Sequence, residues 1–74
     1  MAEVVAQMVG KVWKIVANEG DCVEEGDPII IIESMKMEIP IEAEVSGKVT
    51  KIHVTFDQTV NEGDVVAEID EGGC

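Results

Sequence analysis

The chain has no leucine, arginine or tyrosine, and only one phenylalanine and one tryptophan among its 74 residues. Val, Ile and Thr together supply 24 positions instead. Their β-branched side chains are stiff at χ1 and suit pleated strands better than helices, so an all-β fold is expected. The lack of arginine, with five lysines against 16 acidic residues and a net charge of −11, excludes nucleic acid as a partner. That charge keeps a small protein soluble and can steer it toward basic partner enzymes. Cysteine is scarce too. Cys22 and Cys74 stand far apart without CxxC or histidine spacing, which argues against a metal site. Free thiols in a reducing cytoplasm are the expectation, with Cys74 exposed. The longest apolar run, Pro28 to Ile32, is too short to span a bilayer. No leader is legible in acidic Met1-Ala2-Glu3, which no apolar stretch follows. The reading is a cytoplasmic, membrane-free, monomeric protein with one domain over residues 1–74. A chain of this size hides only roughly 60% of its unfolded surface.

What is present is a repeat. Gly10-Lys11-Val12-Trp13-Lys14-Ile15 returns as Gly47-Lys48-Val49-Thr50-Lys51-Ile52, at an offset of 37 positions (47 less 10). Val23-Glu24-Glu25-Gly26-Asp27 returns as Val60-Asn61-Glu62-Gly63-Asp64 at the same offset. Lys11 and Lys14 thus have mates in Lys48 and Lys51, whereas Lys36 has none. It sits at the seam between the copies, in Glu33-Ser34-Met35-Lys36-Met37-Glu38.

Apolar segments from Val4, Val12, Ile29, Ile39, Val49 and Val65, with short stretches at Val23 and Val60, read as strands. Gly-Asp and Asn-Glu-Gly-Asp clusters separate them as turns. Charged Glu68 facing water places Val65, Ala67 and Ile69 inward, and the repeat carries Ile30 and Ile32 with them. Val12 and Ile15, like Val49 and Ile52, are three positions apart rather than two, which calls for a bulge near Lys14 and Lys51. Neither half can bury its own apolar face, so the halves pack about a pseudo-dyad as two antiparallel sheets. Lys36 would then be the outward tip of a hairpin, at the opposite end from the chain termini. Met35-Lys36 is not the Asn-Gly or Asp-Gly of tight hairpins, and a type I turn is expected. No Ser/His/Asp set or phosphate-cradling loop accompanies this turn, and single His53 reads as a surface or packed histidine.

The seam resembles the Glu-Ala-Met-Lys-Met pattern of the biotinyl/lipoyl carrier family, with Ser34 in place of alanine. The Gly-x-Val start, the Val-x-x-Gly-Asp turn and their repetition extend the resemblance over nearly the whole chain. The resemblance is closest to a free-standing biotin/lipoyl attachment protein. It implies a flattened β-barrel, a barrel-sandwich hybrid of two four-stranded sheets with pseudo-two-fold symmetry. It also implies covalent biotin on Lys36, attached by an ATP-dependent biotin protein ligase. Glu33, Ser34, Met35, Met37 and Glu38 would form the ligase-recognition context. A biotin carrier shuttles carboxybiotin from a biotin carboxylase to a carboxyltransferase and is not itself an enzyme. Carriers of acetyl-CoA carboxylase often add a loop between the early strands, for which this chain has no room. Glu33-Ser34 and Glu38-Ile39-Pro40 also resemble the lipoyl frame, so lipoate, attached by a lipoate ligase to the same Lys36, is the alternative.

The residue type suits the task. Lysine gives a flexible stem and an amine, and the amide it forms is inert to water. Because an ordinary lysine amine is protonated at neutral pH, activation must come from the ligase.

Overall fold

The computed structural model describes residues 2–74; of the expected domain, only Met1 lies outside the described residues. Eight strands follow one another: β1 (Ala2–Val5), β2 (Gly10–Ile15), β3 (Cys22–Val23), β4 (Pro28–Ser34), β5 (Met37–Glu42), β6 (Gly47–Ile52), β7 (Thr59–Val60) and β8 (Val65–Glu71). They form two antiparallel four-stranded sheets, ordered β1-β8-β6-β3 and β5-β4-β2-β7. The repeat offset turns β2, β3 and β4 into β6, β7 and β8 with identical bounds, and it turns one sheet order into the other.

The core obeys the same operation. Val4 with Ile41, Ala6 with Ala43, Val12 with Val49 and Ala17 with Val54 are mates, all buried. So are Val23 with Val60, Ile29 with Val66, Ile30 with Ala67 and Ile32 with Ile69, and these pairs complete the buried apolar core. No charged or polar residue is buried among the described residues. Burial of a β-branched core between two sheets, with nothing polar to satisfy, is what holds so small a domain together.

The bulges expected near Lys14 and Lys51 are present. The β2–β4 register slips between Val12 and Lys14, and the β6–β8 register slips between Val49 and Lys51. A second pair escaped the alternation argument. Ile29 is skipped in the β4–β5 ladder and Val66 in the β1–β8 ladder. Each bulge turns two successive side chains inward, so Val66 is fully buried and Val65, expected inside, is only half-buried.

The turns repeat as well. Asp27 and Asp64 each accept the backbone N–H three residues earlier, from Glu24 and Asn61, and Gly26 and Gly63 take φ of 92° and 90°. The preceding turns match in the same way: Asp21 accepts from Asn18, and Gln58 accepts from Thr55. There the left-handed position is Gly20 in one copy and Asp57, at φ 72°, in the other.

The expectation of free thiols is wrong: Cys22 and Cys74 form a disulfide. Distance in sequence misled, because a turn closed by Gly73 N–H donating to Asp70 O sends the tail back over Lys48 toward β3. This brings the two Cα atoms to 5.9 Å, within bridging range. The bond fastens β3, a two-residue edge strand paired only through Lys48 and Gly47, to the end of β8. Cys74 and Gly72 share a cleft with Asp27 at the foot of β4, whose head carries the Lys36 turn. The tail and the turn therefore lie at opposite ends of a molecule 35 Å long and 17 Å wide.

Candidate functional site: the Lys36 hairpin

Strands β4 and β5 pair in an unbroken ladder from Ile30–Ile41 outward through Ile32–Ile39, Glu33–Glu38 and Ser34–Met37. Two residues, Met35 and Lys36, connect them. The expected type I turn is not what forms. Met35 and Lys36 have φ of 52° and 65°, the double left-handed signature of a type I′ turn. Its twist matches that of the strands it joins, whereas a type I turn would splay them. The long ladder thus imposes on two ordinary residues a backbone that glycine and asparagine prefer. Strain of this kind persists only where the surroundings over-determine it.

The hairpin places the expected site residues as follows. Lys36 is exposed at the apex, and its amine takes part in neither of the two ion pairs among the described residues. Met35 is 87% exposed and Met37 59%, so two large apolar side chains flank the lysine in water. Ser34 is half-buried opposite Met37. Glu33 and Glu38 stand directly across from each other, both exposed, in a like-charge arrangement that destabilises a ladder. All six seam residues are therefore gathered on one hairpin tip. His53 lies away from it, its Nε2 2.5 Å from the Glu68 carboxylate. Among the described residues no cluster of His, Cys, Asp and Glu has metal-binding geometry.

Chemically, the arrangement offers one exposed primary amine at the tip of a hairpin, with the Glu33 and Glu38 carboxylates one ladder step below the turn's flanking pair and no ion pair to the amine among the described residues. It fits a group carried covalently at the amine nitrogen and held by nothing else. The sequence reading missed exposed Trp13 and Phe56 on the neighbouring strand and loop. The repeat could have flagged them, since their mates are Thr50 and Glu19.

Comparison with known proteins agrees. A family model described as "Biotin-requiring enzyme" matches residues 1–69. The chain is 48% identical over 63 residues to a biotin/lipoyl attachment protein of Bacillus subtilis, covering 85% of this chain and 86% of that one. It is 44% identical over 70 residues to a protein of Mycobacterium leprae named biotinylated protein TB7.3 homolog, covering 93% and 99%. In structure it is similar to a segment of the Kluyveromyces lactis urea carboxylase, with a TM-score of 0.89 and 45% identity over 93% of this chain and 6% of that one. The chain belongs to the biotin/lipoyl attachment family. It is a non-catalytic carrier domain.

Proposed function

We propose that this protein is a biotin acceptor, modified on Lys36 by a biotin protein ligase and serving a biotin carboxylase and a carboxyltransferase. The observation that carries this reading is the placement of Lys36 at a strained, exposed apex between two exposed methionines. In the acylation step the Lys36 Nζ lone pair attacks the acyl carbon of biotinyl-adenylate. The new C–N amide bond forms as the bond from that carbon to the AMP phosphate oxygen breaks, and the amine's proton passes to a base of the ligase. The protein contributes presentation: the β4–β5 ladder holds the apex away from the core, and among the described residues no ion pair to Lys36 has to break first. Biotin, once attached, supplies a ureido nitrogen that takes up and releases a carboxyl group. Tethering raises its effective concentration at neighbouring active sites to the order of millimolar.

A second reading, lipoylation of the same Lys36, is favoured by Glu33-Ser34 before the turn and Glu38-Ile39-Pro40 after it. Met35 and Met37 weigh toward biotin. Because the ligase needs ATP, acylation takes place inside the cell, where a reducing thiol pool competes with the Cys22–Cys74 bond. The test is carboxyl transfer. Ligase-treated protein, incubated with a biotin carboxylase, ATP and labelled bicarbonate, should acquire acid-labile label that the Lys36→Arg variant does not. Lipoyl transfer without biotinyl transfer, under matched ligase conditions, would establish the second reading instead.

A further inference from the structure

The two halves of this molecule are near-copies in backbone and core but not in surface, so each serves as an internal control for the other. Among the described residues seven large apolar side chains are exposed: Met8, Val9, Trp13, Val16, Met35, Met37 and Phe56. Val16 lies beyond the end of β2, away from the hairpin. Of the other six, Met8, Val9, Trp13, Met35 and Met37 belong to the copy that carries Lys36, and Phe56 of the second copy sits in a loop held against β2 of the first. Their mates at the disulfide end are half-buried Val45, then Ser46, Thr50, Gly72, Cys74 and Glu19. Two of those mates serve their own backbone: Thr50 Oγ1 donates to Glu68 O, and a Glu19 carboxylate oxygen accepts from Ile52 N–H. An identical scaffold therefore tolerates polar residues at these positions, and packing does not explain why the Lys36 half is apolar.

The ladders place this apolar surface beside the hairpin. Lys11 pairs with Glu33 on β4 and with Thr59 on β7, and Gly10 pairs with Val60. Val12 N–H donates to Gln58 O and Val12 O accepts from Asp57 N–H, both at 2.8 Å. Phe56, 69% exposed, is thus fixed alongside β2 next to the bulge residue Trp13, and a Lys11–Asp57 ion pair at 3.4 Å closes the loop from outside. Asp57 holds its left-handed backbone where the other half has Gly20. Around these side chains the exposed charges are mixed, acidic at Glu33, Glu38 and Asp57 and basic at Lys11, Lys14 and Lys36.

We propose that Val9, Trp13 and Phe56 extend the Lys36 tip into a docking surface for the acylating ligase, whose matching face is apolar with a rim of mixed charge. The inference rests on Lys36 being the acceptor and adds to it a recognition surface outside the seam motif. Reach decides between possible occupants. Before acylation the nucleophile extends no farther than a lysine side chain, so the ligase must lie against the sheet beside it. An enzyme using the loaded arm meets its cargo at the far end of a much longer tether.

The test substitutes the residues that the repeat places at the equivalent positions, Trp13→Thr as at Thr50 and Phe56→Glu as at Glu19. Steady-state kinetics with a purified biotin protein ligase, biotin and ATP should show KM for the doubly substituted protein raised at least about tenfold, roughly 1.4 kcal/mol, with kcat little changed. Titration of unlabelled ligase into ¹⁵N-labelled wild type should shift or broaden the single Trp13 indole N–H resonance. An unchanged kcat/KM in the folded variant overturns the proposal, as does a silent indole. So does a concentration-dependent dimer of wild type abolished by the substitutions, since a second copy would then be the occupant. Failure of wild type itself to accept biotin would instead remove the assignment of Lys36.

Discussion

Replacing Lys36 by glycine should abolish the acceptor and yet stabilise the protein. Lys36 holds φ at 65° inside a type I′ turn, a conformation that costs an L-residue with a Cβ roughly 1–2 kcal/mol. Glycine escapes that penalty but brings a more flexible unfolded chain, which offsets roughly 0.5–1 kcal/mol of the gain. Among the described residues no ion pair of the exposed Lys36 side chain opposes the change. The net expectation for Lys36→Gly is a stabilisation of about 0.5–1 kcal/mol. For a domain of this size that is a rise of roughly 2–8 °C in Tm. Lys14→Gly, at an exposed strand position without positive φ, is the control and should lose about 1 kcal/mol. Urea titrations followed by circular dichroism, with equal m-values required, read both. If Lys36→Gly proves as destabilising as Lys14→Gly, the acceptor turn is not strained and the reasoning about its backbone fails.

Two further outcomes follow from the tail and from the close approach of β6 to β8. Reducing Cys22–Cys74, which spans 52 positions, should lower stability by about 4 kcal/mol on the chain-entropy estimate and Tm by about 10 °C or more. Cys74→Ser should melt like the reduced protein and ignore reductant, so identical wild-type melts with and without a dithiol would contradict the strap. A Cβ on Gly47 would clash with the Asp70 carbonyl oxygen, whereas on Gly10 its nearest neighbour, the Glu33 oxygen, lies at 3.0 Å. Gly47→Ala should therefore lose at least about 2 kcal/mol in denaturant titration and Gly10→Ala clearly less, despite their equivalence in the repeat.

Much of this architecture was legible because the repeat is written in residue types that also decide burial. The offset linking Val12 to Val49 and Val23 to Val60 links buried core positions in the structure. The doubled three-residue spacing from Val12 to Ile15 revealed real bulges. The bulges at Ile29 and Val66 stayed hidden because Ile29 to Ile32 is apolar without interruption, so no polar residue marks which side chain turns. The turn type at Met35-Lys36 was misjudged because local preference was weighed without the ladder that overrides it. The disulfide was missed because its proximity depends on how Gly72-Gly73 folds the tail, a tertiary property that spacing does not encode. Lys36, the proposed acceptor, stands out because it alone of the lysines lacks a mate, and comparison with the repeat, applied to Trp13 and Phe56, exposes the apolar surface beside it.

The most direct test of the account is the intact mass of the protein after incubation with biotin protein ligase, biotin and ATP, followed by peptide mapping. The account predicts one biotinyl group per chain, located on Lys36. It also predicts no mass change in Lys36→Arg, although that variant still carries Lys11, Lys14, Lys48 and Lys51 on strand positions. Biotin found on any of those four, or a Lys36→Arg protein that still gains the group, would contradict it.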